Sequence, residues 1–239
     1  MGRAFEYRKA RKMKRWANMA KSFTRVGREI ALAVKEGGGD PEYNPRLRMA
    51  IQNGKAANMP KNNIDNAIAK ALGKDSADYT EIVYEGYAPH GIAVLVETAT
   101  DNPTRTVANV RHVFSKYGGS LGTSGSVDYM FSRKGIFTIA KDSISDPEEF
   151  ELEMIDHGLE ELKDGEDGYE LYCDFADYGS LSKALQDKGI EPSESKLDRI
   201  SSMMKNLGDE EAEAVIKLID KMEEEDDVLQ VFHTMNMEE

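Results

Sequence analysis

Residues 82–114 read IVYEGYAPHGIAVLVETATDNPTRTVANVRHVF, and this stretch decides the fold class. Ile82 and Tyr84 stand two apart, an apolar run spans Ile92 to Val96, and Pro89-His90-Gly91 stands between. That pattern predicts two strands joined by a turn. The period then changes: Asn102 and Pro103 supply a helix cap and a first helical position, and Val107, Val110, Val113 and Phe114 recur at helical spacing. A hairpin leading into a helix predicts an α+β unit, with helices packed on one face of an antiparallel sheet.

Downstream the same alternation repeats. Strands are expected at 127–131, 135–140, 169–175 and 194–203, with helices from Pro147 to Leu162 and over 179–188 between them. A helix from Asp209 to Glu224 and an apolar strand from Val228 to His233 finish the chain. Strands alternating with helices and hairpins suggest two units of ferredoxin-like type.

Upstream the spacing is helical throughout. From Met19 to Lys35, Phe23, Val26, Ile30, Ala33 and Val34 fall within an arc of roughly 100°, while Lys21, Arg25, Arg28 and Lys35 fall opposite, predicting a basic stripe turned outward. Gly37, Gly38 and Gly39 stop this helix and Asp40-Pro41 prevents its resumption. A second helix is predicted from Pro45 to about Asn58 with Asn44 as cap. A third starts near Pro60, turns Ile64, Ala67, Ile68 and Leu72 inward, and stops at Gly73. The expected fold class is therefore α+β: an N-terminal three-helix domain followed by two ferredoxin-like α/β domains.

The chain has 239 residues, 40% hydrophobic and 31% charged, an ordinary globular balance. Its one cysteine, Cys173, rules out an internal disulfide framework and points to a reducing, cytoplasmic setting. No apolar stretch approaches the roughly 20 residues of a membrane span, and the N-terminus is charged where a signal peptide would be apolar, so neither export nor a membrane partner is expected. The net charge is −13, but it is unevenly placed. Up to Lys74 there are 17 Lys and Arg against 6 Asp and Glu, a net of +11; the remainder carries 14 against 38, a net of −24. Such asymmetry suggests a basic contact domain joined to an acidic body that phosphates repel.

Arg8, Lys9, Arg11, Lys12, Lys14 and Arg15 crowd ahead of the single tryptophan, Trp16. Lys and Arg displace counterions from phosphates and an aromatic ring stacks on an unpaired base, so this run reads as a polyanion contact; the alternative is a solvated tail anchored by Trp16. With the helical stripe of Lys21, Arg25, Arg28 and Lys35, and with Arg46, Arg48, Lys55 and Lys61 in the same domain, contact with nucleic acid is the better reading. The segment from Gly118 to Ser126 is rich in glycine, and backbone N–H groups at Gly119, Gly122, Thr123, Ser124 and Gly125 are candidates for an auxiliary contact. It lacks the Gly-Lys-Ser/Thr ending of a nucleotide-gripping loop. His90, His112, His157 and His233 stand far apart in sequence and match no metal-binding pair, and no nucleophile elbow occurs. No catalytic residues, metal or cofactor are expected, and a monomer is favoured.

Several stretches resemble the YebC/PmpR family: Trp16-Ala17-Asn18, Gly37-Gly38-Gly39-Asp40-Pro41, Asn44-Pro45-Arg46-Leu47-Arg48, Tyr84-Glu85-Gly86-Tyr87, Thr100-Asp101-Asn102 with Arg105-Thr106, and Gly118 to Val127. The family usually has a short Gly-His-Ser-Lys stretch where Arg8 to Arg15 stand here. The resemblance implies three domains: 1–77 basic and helical, 78–133 with 204–239 as a discontinuous middle domain, and 134–203 inserted. It further implies a DNA-binding transcriptional regulator, or, by analogy with relatives that include a mitochondrial translational activator, a factor that binds RNA on the ribosome. Set against these, the paired α+β blocks could form a protein-interaction or small-ligand sensing module that the basic arm merely localises.

Overall fold

The computed structural model describes residues 19–73 and 78–237. In chain order the elements are α1 (Met19–Gly37), α2 (Pro45–Ala56), α3 (Lys61–Leu72), β1 (Thr80–Tyr87), β2 (Ala93–Thr100), α4 (Pro103–Lys116), β3 (Ser120–Leu121), β4 (Phe131–Ile139), α5 (Pro147–Ile155), β5 (Leu159–Asp164), β6 (Tyr169–Asp174), α6 (Tyr178–Asp187), β7 (Glu194–Ser201), α7 (Asp209–Glu223) and β8 (Val228–His233). The protein is mixed α+β. Its contacts divide it into two units: one holds the described residues up to 28 with 78–132 and 201–237, the other holds 29–73 and 133–200. The division falls inside α1.

The first unit is built on the hairpin of β1 and β2, antiparallel with Tyr84 opposite Val96. Its turn is made by His90 and Gly91, both at positive φ. The strand order is β3-β1-β2-β8, so the helix between β2 and β3 carries the chain over β1 in a split β-α-β arrangement. The last strand, β8, returns from the end of the chain to pair with β2. This makes the unit discontinuous. β2 is buried on both faces, which its apolar run foreshadowed. Val94 and Val96 meet Val110, Val113 and Phe114 of α4 and Val215, Leu218, Ile219 and Met222 of α7. Ala93 and Leu95 face Val127, Phe131 and Phe232 on the other side.

The second unit carries the sheet β5-β6-β4-β7. Its chain order, β-α-β-β-α-β, with β4 and β6 central, is the ferredoxin-like arrangement. Phe137, Ile139, Leu171 and Cys173 from the sheet pack on Phe150 and Met154 of α5 and on Tyr178, Leu181 and Leu185 of α6, with Met49 of α2 added. The rings of Phe137 and Tyr178 stack at 4.6 Å. Gly135 is needed here because a Cβ would stand 2.7 Å from both the Cys173 sulfur and the Tyr178 ring.

Asn44 ties α1 to α2 within this unit. It is buried; its Oδ1 accepts from the Leu47 N–H at 3.0 Å as a helix cap, and its amide donates to the carbonyls of Ala33 at 2.7 Å and Gly38 at 2.8 Å. Gly38, at φ +81, ends α1 in the left-handed conformation.

Four expectations are corrected. Residues 128–130 form a 3-10 turn, and in place of the two strands expected at 127–131 and 135–140 there is one, Phe131–Ile139. The helix from Pro147 ends at Ile155, not Leu162, because Gly158 at φ +93 turns the chain into β5. Leu72 is 61% exposed at the end of α3. The glycine segment contains a short strand at Ser120–Leu121 that pairs with β1.

Candidate nucleic-acid interface

The first half of α1 does not present the outward stripe that its spacing predicts. Lys21 Nζ donates to the Glu224 carbonyl at 2.8 Å, Arg25 donates to the Glu223 carbonyl, and Arg28 donates to the carbonyls of Asp226 and, at 3.2 Å, Ala99. These acceptors lie mostly at the C-terminal end of α7, where helical carbonyls have no intrahelical partner and the helix dipole is negative. Lys21, Arg25 and Arg28 therefore bind the unit's own backbone. The helical spacing of their sequence could not reveal this, because the acceptors lie about 200 residues away.

Arg28 also joins a buried ionic cluster. Asp227 is 6% exposed and accepts from Thr106 Oγ1 at 2.6 Å, from Arg105 Nη2 at 2.9 Å and, more weakly, from Thr100 Oγ1 at 3.4 Å. Arg28 Nη1 stands 3.0 Å from the same carboxylate. Burial alone would raise the Asp227 pKa, but the hydrogen bonds from Thr106 and Arg105 and the charges of Arg28 and Arg105 together hold it below the usual carboxylate value. Across the cluster, the Arg28 guanidinium lies 5.4 Å from the centre of the Tyr79 ring.

The remaining sequence-predicted cations belong to the second unit. Lys35, Lys55 and Lys61 are exposed. Lys55 stands 4.0 Å from Glu191, a distance at which solvent screens most of the attraction. Arg46 pairs with Glu36 at 2.7 Å. Arg48 is half-buried and donates to the carbonyls of Pro41 and Glu42. Lys70, on the exposed side of α3, adds a further cation. Arg8, Lys9, Arg11, Lys12, Lys14, Arg15 and Trp16 lie outside the described residues.

The glycine segment is organised around an anion, but the anion is internal. Glu85 of β1 is 5% exposed, and its carboxylate accepts from the N–H groups of Gly125 at 2.6 Å, Val127 at 2.7 Å and Asp128 at 2.9 Å. Gly122 N–H donates to the Glu85 carbonyl and Gly119 N–H to that of Phe114. The auxiliary backbone contact proposed for Gly119, Gly122 and Gly125 thus meets an obstacle: these donors already have acceptors. Thr123 and Ser124 remain exposed at the tip. Gly125 reaches this geometry at φ +83, and a Cβ on Gly119 would lie 2.5 Å from the Tyr87 carbonyl oxygen. The sequence signal for Glu85 was its place in a strand whose neighbours pack inward.

Against known proteins, residues 3–74 match the model of the TACO1/YebC protein N-terminal domain, and residues 79–235 match that of the TACO1/YebC second and third domain. The chain belongs to the TACO1/YebC family. A relative from Flavobacterium johnsoniae is 56% identical over 238 residues, covering all of both chains, and one from Porphyromonas gingivalis is 54% identical over 239 residues, covering 100% of this chain and 99% of its own. Both are named "Probable transcriptional regulatory protein". The crystal structure of a conserved hypothetical protein from Aquifex aeolicus matches with a TM-score of 0.77 at 39% identity, covering 91% of this chain and 90% of that one. The N-terminal match begins at residue 3, so the basic stretch before Trp16 lies inside the family's N-terminal domain.

In this member of the TACO1/YebC family one more basic surface exists. α4 contains no Asp or Glu, and Arg111, His112 and Lys116 lie exposed on its outer face. The net of −24 beyond Lys74 conceals it, whereas the 14 residues of the helix taken alone carry only positive charge. Cys173, by contrast, is fully buried, and burial pushes its thiol up to about 12, so it is protonated at neutral pH and a poor nucleophile. Among the described residues no helix is long and apolar enough to cross a membrane.

Proposed function

We propose that this chain is a non-enzymatic, nucleic-acid-binding regulator of gene expression that acts on DNA to control transcription. The observation that carries the reading is the division of charge: +11 through Lys74 and −24 beyond it. A polyanion is attracted by the basic residues and repelled by the acidic ones, a preference that needs no specific contact. The names of the relatives support the regulatory role. Exposed Lys35, Lys55 and Lys61, together with the sequence run from Arg8 to Arg15, supply the phosphate contacts. Such contacts fix position, and sequence preference then comes from a few base contacts or from DNA shape.

Binding is tested by measuring affinity for duplex DNA and for single-stranded RNA between 50 and 200 mM salt, a window in which 6–10 phosphate contacts change affinity by roughly 10³ to 10⁵. A steep dependence that flattens when Arg8, Lys9, Arg11, Lys12, Lys14 and Arg15 are changed to Gln is expected. Affinity indifferent to salt and to those changes would sink the proposal. Trp16, beside the basic run, favours one second reading, an RNA ligand whose unpaired bases stack on the ring. Crosslinking in cells followed by sequencing separates the two: promoter fragments support transcriptional control, and ribosomal RNA supports the second reading.

A further inference from the structure

The second unit holds a groove of about 280 Å³ apart from the phosphate contacts proposed above, although its Arg48 is among the sequence-predicted nucleic-acid contacts. α2 contributes Arg48 and Gln52, α6 contributes Ser182 and Gln186, and the turn after α6 adds Ile190 and Pro192. Arg48 decides its character. The guanidinium is half-buried, and its bonds run to neutral groups: the Pro41 carbonyl at 2.8 Å, the Glu42 carbonyl at 2.9 Å and Ser182 Oγ at 3.4 Å. It meets no carboxylate among the described residues, unlike Arg28, Arg46 and Arg105. A cation held partly out of water and opposed only by dipoles is the condition in which an anion gains most from binding.

Two further donors stand with it. Gln52 Oε1 accepts from Ser195 Oγ at 2.7 Å, which uses the acceptor end of the amide and leaves its NH₂ as donor. Ser182 Oγ accepts from Arg48 and keeps its own O–H to give. Ile190 and Pro192 supply an apolar wall. The one carboxylate in the lining, Glu191, is exposed and lies 4.0 Å from Lys55. At this volume the groove sits just below the lower end of the size range of small-ligand sites, roughly 300 Å³.

We infer that this groove binds a small free molecule with an anionic end, a carboxylate or phosphate monoester, seated on Arg48, Gln52 and Ser182, and an apolar portion against Ile190 and Pro192. The inference does not rest on the nucleic-acid reading. It is tested on the full chain with isoleucine methyl NMR, titrating phenyl phosphate and benzoate separately at constant ionic strength. Either probe is expected to shift the Ile190 methyl saturably, with a midpoint at or below about 1 mM, corresponding to about 4 kcal/mol. Arg48→Gln is expected to weaken that binding at least tenfold. Because Arg48 also holds two backbone carbonyls, Gln186→Trp at the exposed rim serves as a second variant: it leaves those bonds in place and obstructs the groove. Shifts that fail to saturate, or that persist in both variants, overturn the inference. Tighter binding of a 5′-phosphorylated trinucleotide than of phenyl phosphate overturns the assignment to a small free molecule.

Discussion

Lys21, Arg25 and Arg28 stand on the first half of α1, while Lys35, Lys55 and Lys61 stand on its last turn and on the two helices that follow. The first three are bound to carbonyls and a carboxylate of the first unit. The second three lie exposed in the second unit. In a charge count the two sets are equal, yet one holds a helix end in place and the other meets solvent. The difference teaches that a basic stripe is a statement about attraction, and that a helix C-terminus inside the same chain competes for it as a phosphate would. The glycine segment repeats the lesson with the signs reversed, because its N–H donors close on Glu85.

The sharpest way to break the comparison is at Asp227, the charge that gives the first set its anchor. Asp227→Ala leaves Arg28, whose side chain is 12% exposed, without its carboxylate. A stability loss of about 3 kcal/mol is expected, the scale for removing one member of a buried ion pair, read by urea or thermal unfolding. A loss under about 1 kcal/mol would place the cluster among ordinary surface pairs. The pH dependence follows from the depressed pKa. The folded protein binds fewer protons at Asp227 than the unfolded chain does, so the contribution is complete above the unfolded value of about 4 and is lost as pH falls through the lower folded value. Between pH 7 and 5 the difference in stability between wild type and Asp227→Ala should therefore stay constant, and below pH about 4 it should shrink.

Glu85 gives the next largest effect. Glu85→Gln removes the negative charge that three backbone N–H groups share and offers them one oxygen and an NH₂ in its place. A loss of about 2 kcal/mol is expected, the scale of hydrogen bonds to a charged group. Amide hydrogen exchange should rise at Gly125, Val127 and Asp128, while the protection of β2 and α7 stays as it was. Uniform loosening of the whole unit would mean that Glu85 serves the core and not the loop.

Local signals carried much of this fold. The cap at Asn44, the Pro89-His90-Gly91 turn, the apolar run of β2 and the apolar stretch of β8 each announce their element within a few residues. What was missed has a physical reason. β5, Leu-Glu-Glu-Leu-Lys-Asp, is an edge strand whose exposed charges give no alternation, so the helical pattern of α5 ran on through it. Leu72 looked like a core residue because helical spacing fixes a face but not whether anything covers it. For the site, residue type and local charge were legible, but partners were not. No window of sequence shows that Arg28 meets Asp227, that Glu85 takes the loop's N–H groups, or that Arg48 meets only dipoles.

The smallest effect on stability, and the most informative for function, comes from neutralising the two sets of cations separately. Lys35→Gln, Lys55→Gln and Lys61→Gln together should change stability by no more than about 0.5 kcal/mol per site, as at other exposed positions. If each lysine meets one phosphate, the slope of log affinity against log salt should fall by about 2.7, since each contact releases about 0.9 counterion. Lys21→Gln should differ in the salt slope. It removes a cation from the end of α7 and should lower stability by about 0.5 kcal/mol, an effect that salt weakens, while leaving the slope for nucleic acid unchanged. A loss of slope of about 0.9 from Lys21→Gln would mean that a ligand phosphate displaces the α7 carbonyl from Lys21, and the two halves of α1 would then differ only in what occupies them when no ligand is bound.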